Sequence, residues 1–307
     1  MAGLLSPINH LLELARCAQR PTKIWLAMLL GTFGIGILLI IGSILAGVFQ
    51  LQQLPEDTVS AAVSGLRGMA ELAVTFAPIL LFFWLWLRFF ERRPFPTIGF
   101  ERTGAAWHYG RGLLVGLGMF SAVVGLMAAF GGLQWQQGPA GYQGIGAIGG
   151  VLAVLLGWGV QGAAEEVMSR GFLLQAIGSQ SKPWIGVVVS ALVFGLLHSL
   201  NPGIGPLPVL NLFLFGVFAA FYALYEGGLW GMCAIHSIWN WTQGNLFGLS
   251  VSGTEAPGGT LLNLQSNGAT LLTGGKFGPE GSLPVTIVLL ACIGMVLFAA
   301  RRRPAHA

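Results

Sequence analysis

Charged residues make up only 8% of this 307-residue chain, against about a quarter in an ordinary water-soluble domain. That scarcity excludes a soluble fold. Asp57 is the only aspartate, so the two acids that share a proton in aspartyl intramembrane proteases are missing. The three cysteines, Cys17, Cys233 and Cys292, stand far apart and form no CxxC or mixed Cys/His spacing, which argues against zinc knuckles and a disulfide framework. There is no His-Glu-x-x-His, the helix of the standard zinc proteases. Ser199 and Ser237 each neighbour a histidine, but neither lies in a Gly-x-Ser-x-Gly elbow. The 15 Lys+Arg against 11 Asp+Glu leave a net charge of only +4, without a basic patch suited to nucleic acid.

What the chain has instead is apolar length. With 54% hydrophobic residues and ten tryptophans, most of it is suited to lipid as solvent. Apolar stretches run from Trp25 to Phe49, Leu72 to Phe90, Leu113 to Leu133, Ile145 to Ala164, Trp184 to Leu197, Val209 to Tyr225, Leu229 to Phe247 and Leu283 to Ala299. The expected fold is therefore all-α: a polytopic membrane protein of about eight transmembrane helices forming one integral domain over residues 1–307. Its 47 glycines suit close helix packing.

Arg16, Arg20 and Lys23 precede the first stretch, and Arg88, Arg92, Arg93, Arg102 and Arg111 lie between the second and third. Lys182 lies between the fourth and fifth, and Arg301, Arg302 and Arg303 follow the eighth. The positive-inside rule then puts both termini in the cytoplasm. The first stretch is too long for a signal-peptide core and reads as an uncleaved anchor, which makes this a multi-pass protein of the cell membrane. Residues 250–282, rich in Gly, Ser, Thr and Asn, read as a flexible non-cytoplasmic loop without chemistry of its own.

Polar residues inside such stretches carry the functional signal, because each costs a few kcal/mol in hydrocarbon. Glu165 and Glu166 are adjacent in an apolar helical run and point about 100° apart. Glu166 precedes Arg170 by four residues, the favourable order for an intrahelical ion pair, which leaves Glu165 as the unpaired acid. Phe194 and His198 are four apart on the fifth stretch, as are His236 and Asn240 on the seventh, so each pair shares a helix face. An acid and an imidazole, Glu165 with His198, can polarise a water. An imidazole N–H and an amide, His236 with Asn240, can stabilise an oxyanion.

The ordered set Glu165-Glu166-x-x-x-Arg170, Phe194-x-x-x-His198 and His236-x-x-x-Asn240 resembles the motifs of the CAAX protease and bacteriocin-processing family. Its members include the type II CAAX prenyl endopeptidases, which are intramembrane glutamate proteases. The resemblance implies a motif-bearing core at residues 145–247, with Glu165 as catalytic glutamate, His198 assisting it, and His236 with Asn240 as the oxyanion site. It further implies Glu166 and Arg170 as supporting residues and Phe194 as a packing or substrate-lining one. The expected partners are a peptide or membrane-protein substrate and the lipid bilayer, with no cofactor.

Three other readings use the same residues. Glu165, His198 and His236 could ligate zinc, making a metalloprotease. The buried acid and imidazoles could instead relay protons in a transporter. They could also serve a non-catalytic bacteriocin-immunity or membrane scaffold protein.

Overall fold

The computed structural model describes residues 3–51, 54 and 58–302. Asp57 and Arg303 lie outside the described residues. A short amphipathic helix, α1 (His10–Arg16), is N-capped by the Asn9 side chain, which accepts from the Leu11 N–H at 3.1 Å. Eight helical bodies follow, at the positions of the eight apolar stretches. Six are long and apolar enough to cross a membrane: α2 (Ile24–Val48), α3 (Ala61–Glu91), α4 (Ala105–Ala129), α5 (Gly144–Gln180), α7 (Pro206–Glu226) and α9 (Leu283–Arg302). The other two are shorter, α6 (Pro183–Leu197) with 15 residues and α8 (Trp230–Trp241) with 12, the latter continuing directly as a π-helix over Thr242–Leu246.

The expected set of about eight transmembrane helices corresponds, among the described residues, to six helices long and apolar enough to cross a membrane and two shorter ones. Every residue of α8 from Gly231 to Asn240 is buried, so this helix packs among neighbours and need not match a lipid thickness. α8 lies against α4 on one side and α5 on the other, while α3 packs on α5 and α2 on α3. α6 pairs with α7, and α9 closes the arrangement against α7 and α4. Two close approaches need glycine. A Cβ at Gly162 of α5 would meet the Ser237 Oγ of α8 at 2.6 Å, and one at Gly116 of α4 would meet Ile238 Cγ2 of α8 at 2.4 Å.

Helix starts and stops follow local chemistry. Pro183 and Pro206 open α6 and α7 at the first turn, where the missing N–H is harmless. Gly227, at φ +77°, ends α7 and lets the chain turn directly into α8. α5 is about 55 Å long at 1.5 Å per residue, and it is not uniform. Immediately after Glu166 its hydrogen bonding widens to a π-helix over Val167–Leu174, all of whose residues are buried. Such π segments often occur where a helix carries function.

Residues 250–282 fold against one end of the bundle. The strand β2 (Leu264–Ser266) pairs antiparallel with β1 (Leu133–Trp135), Leu133 opposite Ser266 and Trp135 opposite Leu264. Asn245 donates to the Pro257 and Gly259 carbonyls at 2.7 and 3.0 Å, Asn201 donates to the Ser252 carbonyl at 2.9 Å, and Phe277 is fully buried. Composition alone hides this, because the bonds are made by backbone carbonyls to side chains far away in sequence.

Candidate active site

The interior between these helices holds a cavity of about 250 Å³. One wall is apolar, made by Ile35, Leu39, Leu72, Phe76 and Ile79 of α2 and α3. The facing wall carries Gln161, Glu165, His198, His236 and Asn240. Val251, Ser252, Thr254 and Glu280 from residues 250–282 also line it. A cavity with an apolar side and a few convergent polar groups suits an amphipathic ligand.

His236 organises the polar wall. Its Nδ1–H donates to Glu166 Oε1 at 2.8 Å, and the same oxygen accepts from Arg170 Nη1 at 2.9 Å. Glu166 and Arg170 are wholly buried, so each depends on the other for charge compensation. Arg170 also donates to the Gly216 carbonyl of α7 at 3.3 Å and stacks its guanidinium on the Phe194 ring, 4.7 Å from the centroid. The expected Glu166–Arg170 pair is thus present, and it serves as the backing that fixes the imidazole of His236. With Nδ1 committed to Glu166, the ring turns Nε2 toward Glu165, whose Oε2 lies 3.8 Å away. Adjacent in sequence, the two glutamates address opposite edges of one imidazole.

Glu165 has its side chain 12% exposed and its two oxygens unequally engaged. Oε1 accepts from Gln161 Nε2 at 2.6 Å, whereas Oε2 is buried without a hydrogen-bond partner. Gln161 in turn accepts at its Oε1 from the Asn240 amide at 2.9 Å. Asn240 therefore joins Glu165 through a third residue. His198 caps the end of α6, where its Nδ1–H donates to the Phe194 carbonyl at 2.9 Å and satisfies a last-turn acceptor. Among the described residues its only side-chain hydrogen bond is this one, at Nδ1. Phe194 fills the space among these groups, with ring centroids 4.8 Å from His198 and 5.9 Å from His236. Phe215 and Trp239 complete the aromatic packing beside His236.

All seven residues singled out from the sequence meet in this region, with Glu166 against Arg170 and Phe194 against His198 as the four-residue spacing implies. Glu165 faces His236 in place of His198, with which it forms no ion pair. A neutral His236 carries its proton on Nδ1 and offers a lone pair at Nε2, so it donates from Nε2 only as imidazolium. Among the described residues no group of three or more His, Cys, Asp or Glu side chains is placed to hold a metal ion. Gln161 and Glu280, which both line the cavity, escaped the sequence reading. Gln161 lies one turn before Glu165, so the same four-residue spacing, applied backward, finds it. Glu280 lies in the Gly-rich segment and has no motif; its Oε2 accepts from the Ser252 N–H and Oγ–H at 2.6 and 2.8 Å.

Residues 147–242 match the family model described as type II CAAX prenyl endopeptidase Rce1-like. That interval contains every one of the seven residues. No curated protein and no solved structure matches the chain. The six long apolar helices make the protein an integral membrane protein, and its core, residues 147–242, is similar to the Rce1-like type II CAAX prenyl endopeptidases.

Proposed function

We propose that the protein is an intramembrane endopeptidase in which Glu165 activates a water for attack on a peptide bond. The observation that carries this reading is Glu165: a cavity-lining acid whose Oε2 is buried without a hydrogen-bond partner, 3.8 Å from an imidazole nitrogen whose other edge is fixed. A gap of 3.8 Å is too long for a direct hydrogen bond and suits one water oxygen bonded to both groups. Glu165 Oε2 takes a proton from that water as its oxygen bonds to the scissile carbonyl carbon, and the carbonyl π pair moves onto oxygen. The Asn240 amide has one N–H on Gln161 and a second left for this oxyanion, which imidazolium His236 or His198 further stabilises. When the intermediate collapses, the C–N bond breaks and Glu165 returns the proton to the departing nitrogen.

The supporting geometry is consistent. Arg170, Glu166 and Phe194 hold His236 and His198 without touching the reacting atoms, and the apolar face from α2 and α3 accommodates hydrophobic peptide side chains. The substrate on this reading is a peptide or membrane protein of the cell membrane. The end of the bundle bearing α1, Arg92 and Arg93 faces the cytoplasm, by the excess of basic residues there.

The test is comparative analysis of membrane peptides from cells carrying the wild type or Glu165→Gln. Full-length substrate accumulates in the variant and its fragments disappear. Identical peptide profiles, with the variant protein present at normal abundance, refute the peptidase and favour an immunity or scaffold role.

A further inference from the structure

We propose that Gln161 is a positioning residue for this site: it selects which oxygen of Glu165 acts as base and sets the polarity of the Asn240 amide. The inference rests on the peptidase reading for its catalytic meaning, but its geometric content stands separately. Gln161 is buried, lies one helical turn before Glu165, and uses both ends of its amide within the site. An ionised carboxylate only accepts hydrogen bonds, so Gln161 must turn its NH2 toward Glu165 Oε1. Its carbonyl oxygen is then the atom that faces α8, and Asn240 must answer with its own NH2. The polarity of the three-residue chain follows from the charge at its end.

Two consequences follow for the reaction. Oε1 is held by a donor at 2.6 Å, while Oε2 has no partner, so the proton from water goes to Oε2, the oxygen beside His236. Because the Gln161 bond to Oε1 persists when Oε2 is protonated, the Asn240 amide keeps its nitrogen in place through the step. Without Gln161, the carboxylate can rotate and either oxygen can meet the cavity. Asn240 is then free to present its carbonyl, an acceptor, where the oxyanion needs a donor.

The experiment uses the full-length protein in lipid vesicles and the variant Gln161→Met, which keeps the side-chain length and removes both hydrogen-bonding ends. Infrared difference spectra report the carboxyl stretch of Glu165, assigned by its loss in Glu165→Gln. A shift of that band in Gln161→Met is expected; an unshifted band overturns the proposal. Cleavage of a substrate recovered from the peptide comparison supplies the second arm. The variant should lose about tenfold to hundredfold in kcat with KM changed less than about twofold, the size of a lost hydrogen bond to a charged group. Asn240→Ala added to Gln161→Met should cost far less than Asn240→Ala alone, because the amide is already disordered. Independent, multiplying losses, or a loss confined to KM, overturn the positioning role. A shifted band in protein that cleaves no substrate supports the hydrogen-bond assignment and refutes the peptidase reading.

Discussion

The α2–α3 side of the molecule and the α5–α8 side solve opposite problems with the same scarce set of charges. On α2, Ile37, Ile40, Ile44 and Val48 are mostly exposed, and they form an apolar outer surface suited to lipid. On α5 and α8, Glu166, Arg170, Gln175, His236 and Asn240 are buried among other helices. The outward face of α2 stays apolar because hydrocarbon would leave a polar group there unsatisfied. The inner helices tolerate polarity because their polar groups meet one another. The difference teaches where to look for function in such a chain: at buried polar residues whose partners come from a second helix.

The sharpest way to break the inner half is to remove one member of its buried ion pair. Arg170→Met leaves Glu166 charged and uncompensated, and should cost about 3–5 kcal/mol of stability, measured by denaturant unfolding in detergent. Adding Glu166→Gln to it should restore part of the loss, which a mere packing role for Arg170 would not allow. Glu165→Gln separates chemistry from stability: cleavage should fall at least about a hundredfold, while the unfolding midpoint stays close to that of the wild type. Gly162→Val tests the close approach of α5 and α8. With a Cβ contact of 2.6 Å to Ser237 Oγ already too short, the variant should lose about 1–3 kcal/mol from overpacking. On the outer half, Ile40→Val should change stability by less than about 0.5 kcal/mol. A large loss there would mean that α2 is covered by protein.

Much of this contrast is legible in the sequence. Long apolar runs mark α2, α3, α4, α5, α7 and α9, because lipid contact demands length and apolarity together. The four-residue spacings of Glu166 with Arg170, Phe194 with His198 and His236 with Asn240 place each pair on one face. Less legible is how the helices turn those faces toward each other. Glu165 meets His236 across the α5–α8 contact that Gly162 permits, and no spacing within one helix encodes that. Gln161 goes unnoticed because an uncharged amide in an apolar run stands out only when the four-residue spacing is applied backward from Glu165. The burial of α8 is likewise invisible, since an apolar run bounded by loops reads alike whether lipid or protein surrounds it. Residues 250–282 look like a tether by composition, yet Asn201, Asn211 and Asn245 reach out from the bundle to bind their backbone carbonyls.

The most direct measurement is cleavage by purified protein in lipid vesicles, using a membrane peptide that accumulates in Glu165→Gln cells. Wild-type protein should release the two fragments, and Glu165→Gln, folded and equally stable, should release neither on the same timescale. Cleavage by the variant at the wild-type rate would contradict the assignment of Glu165 as the base.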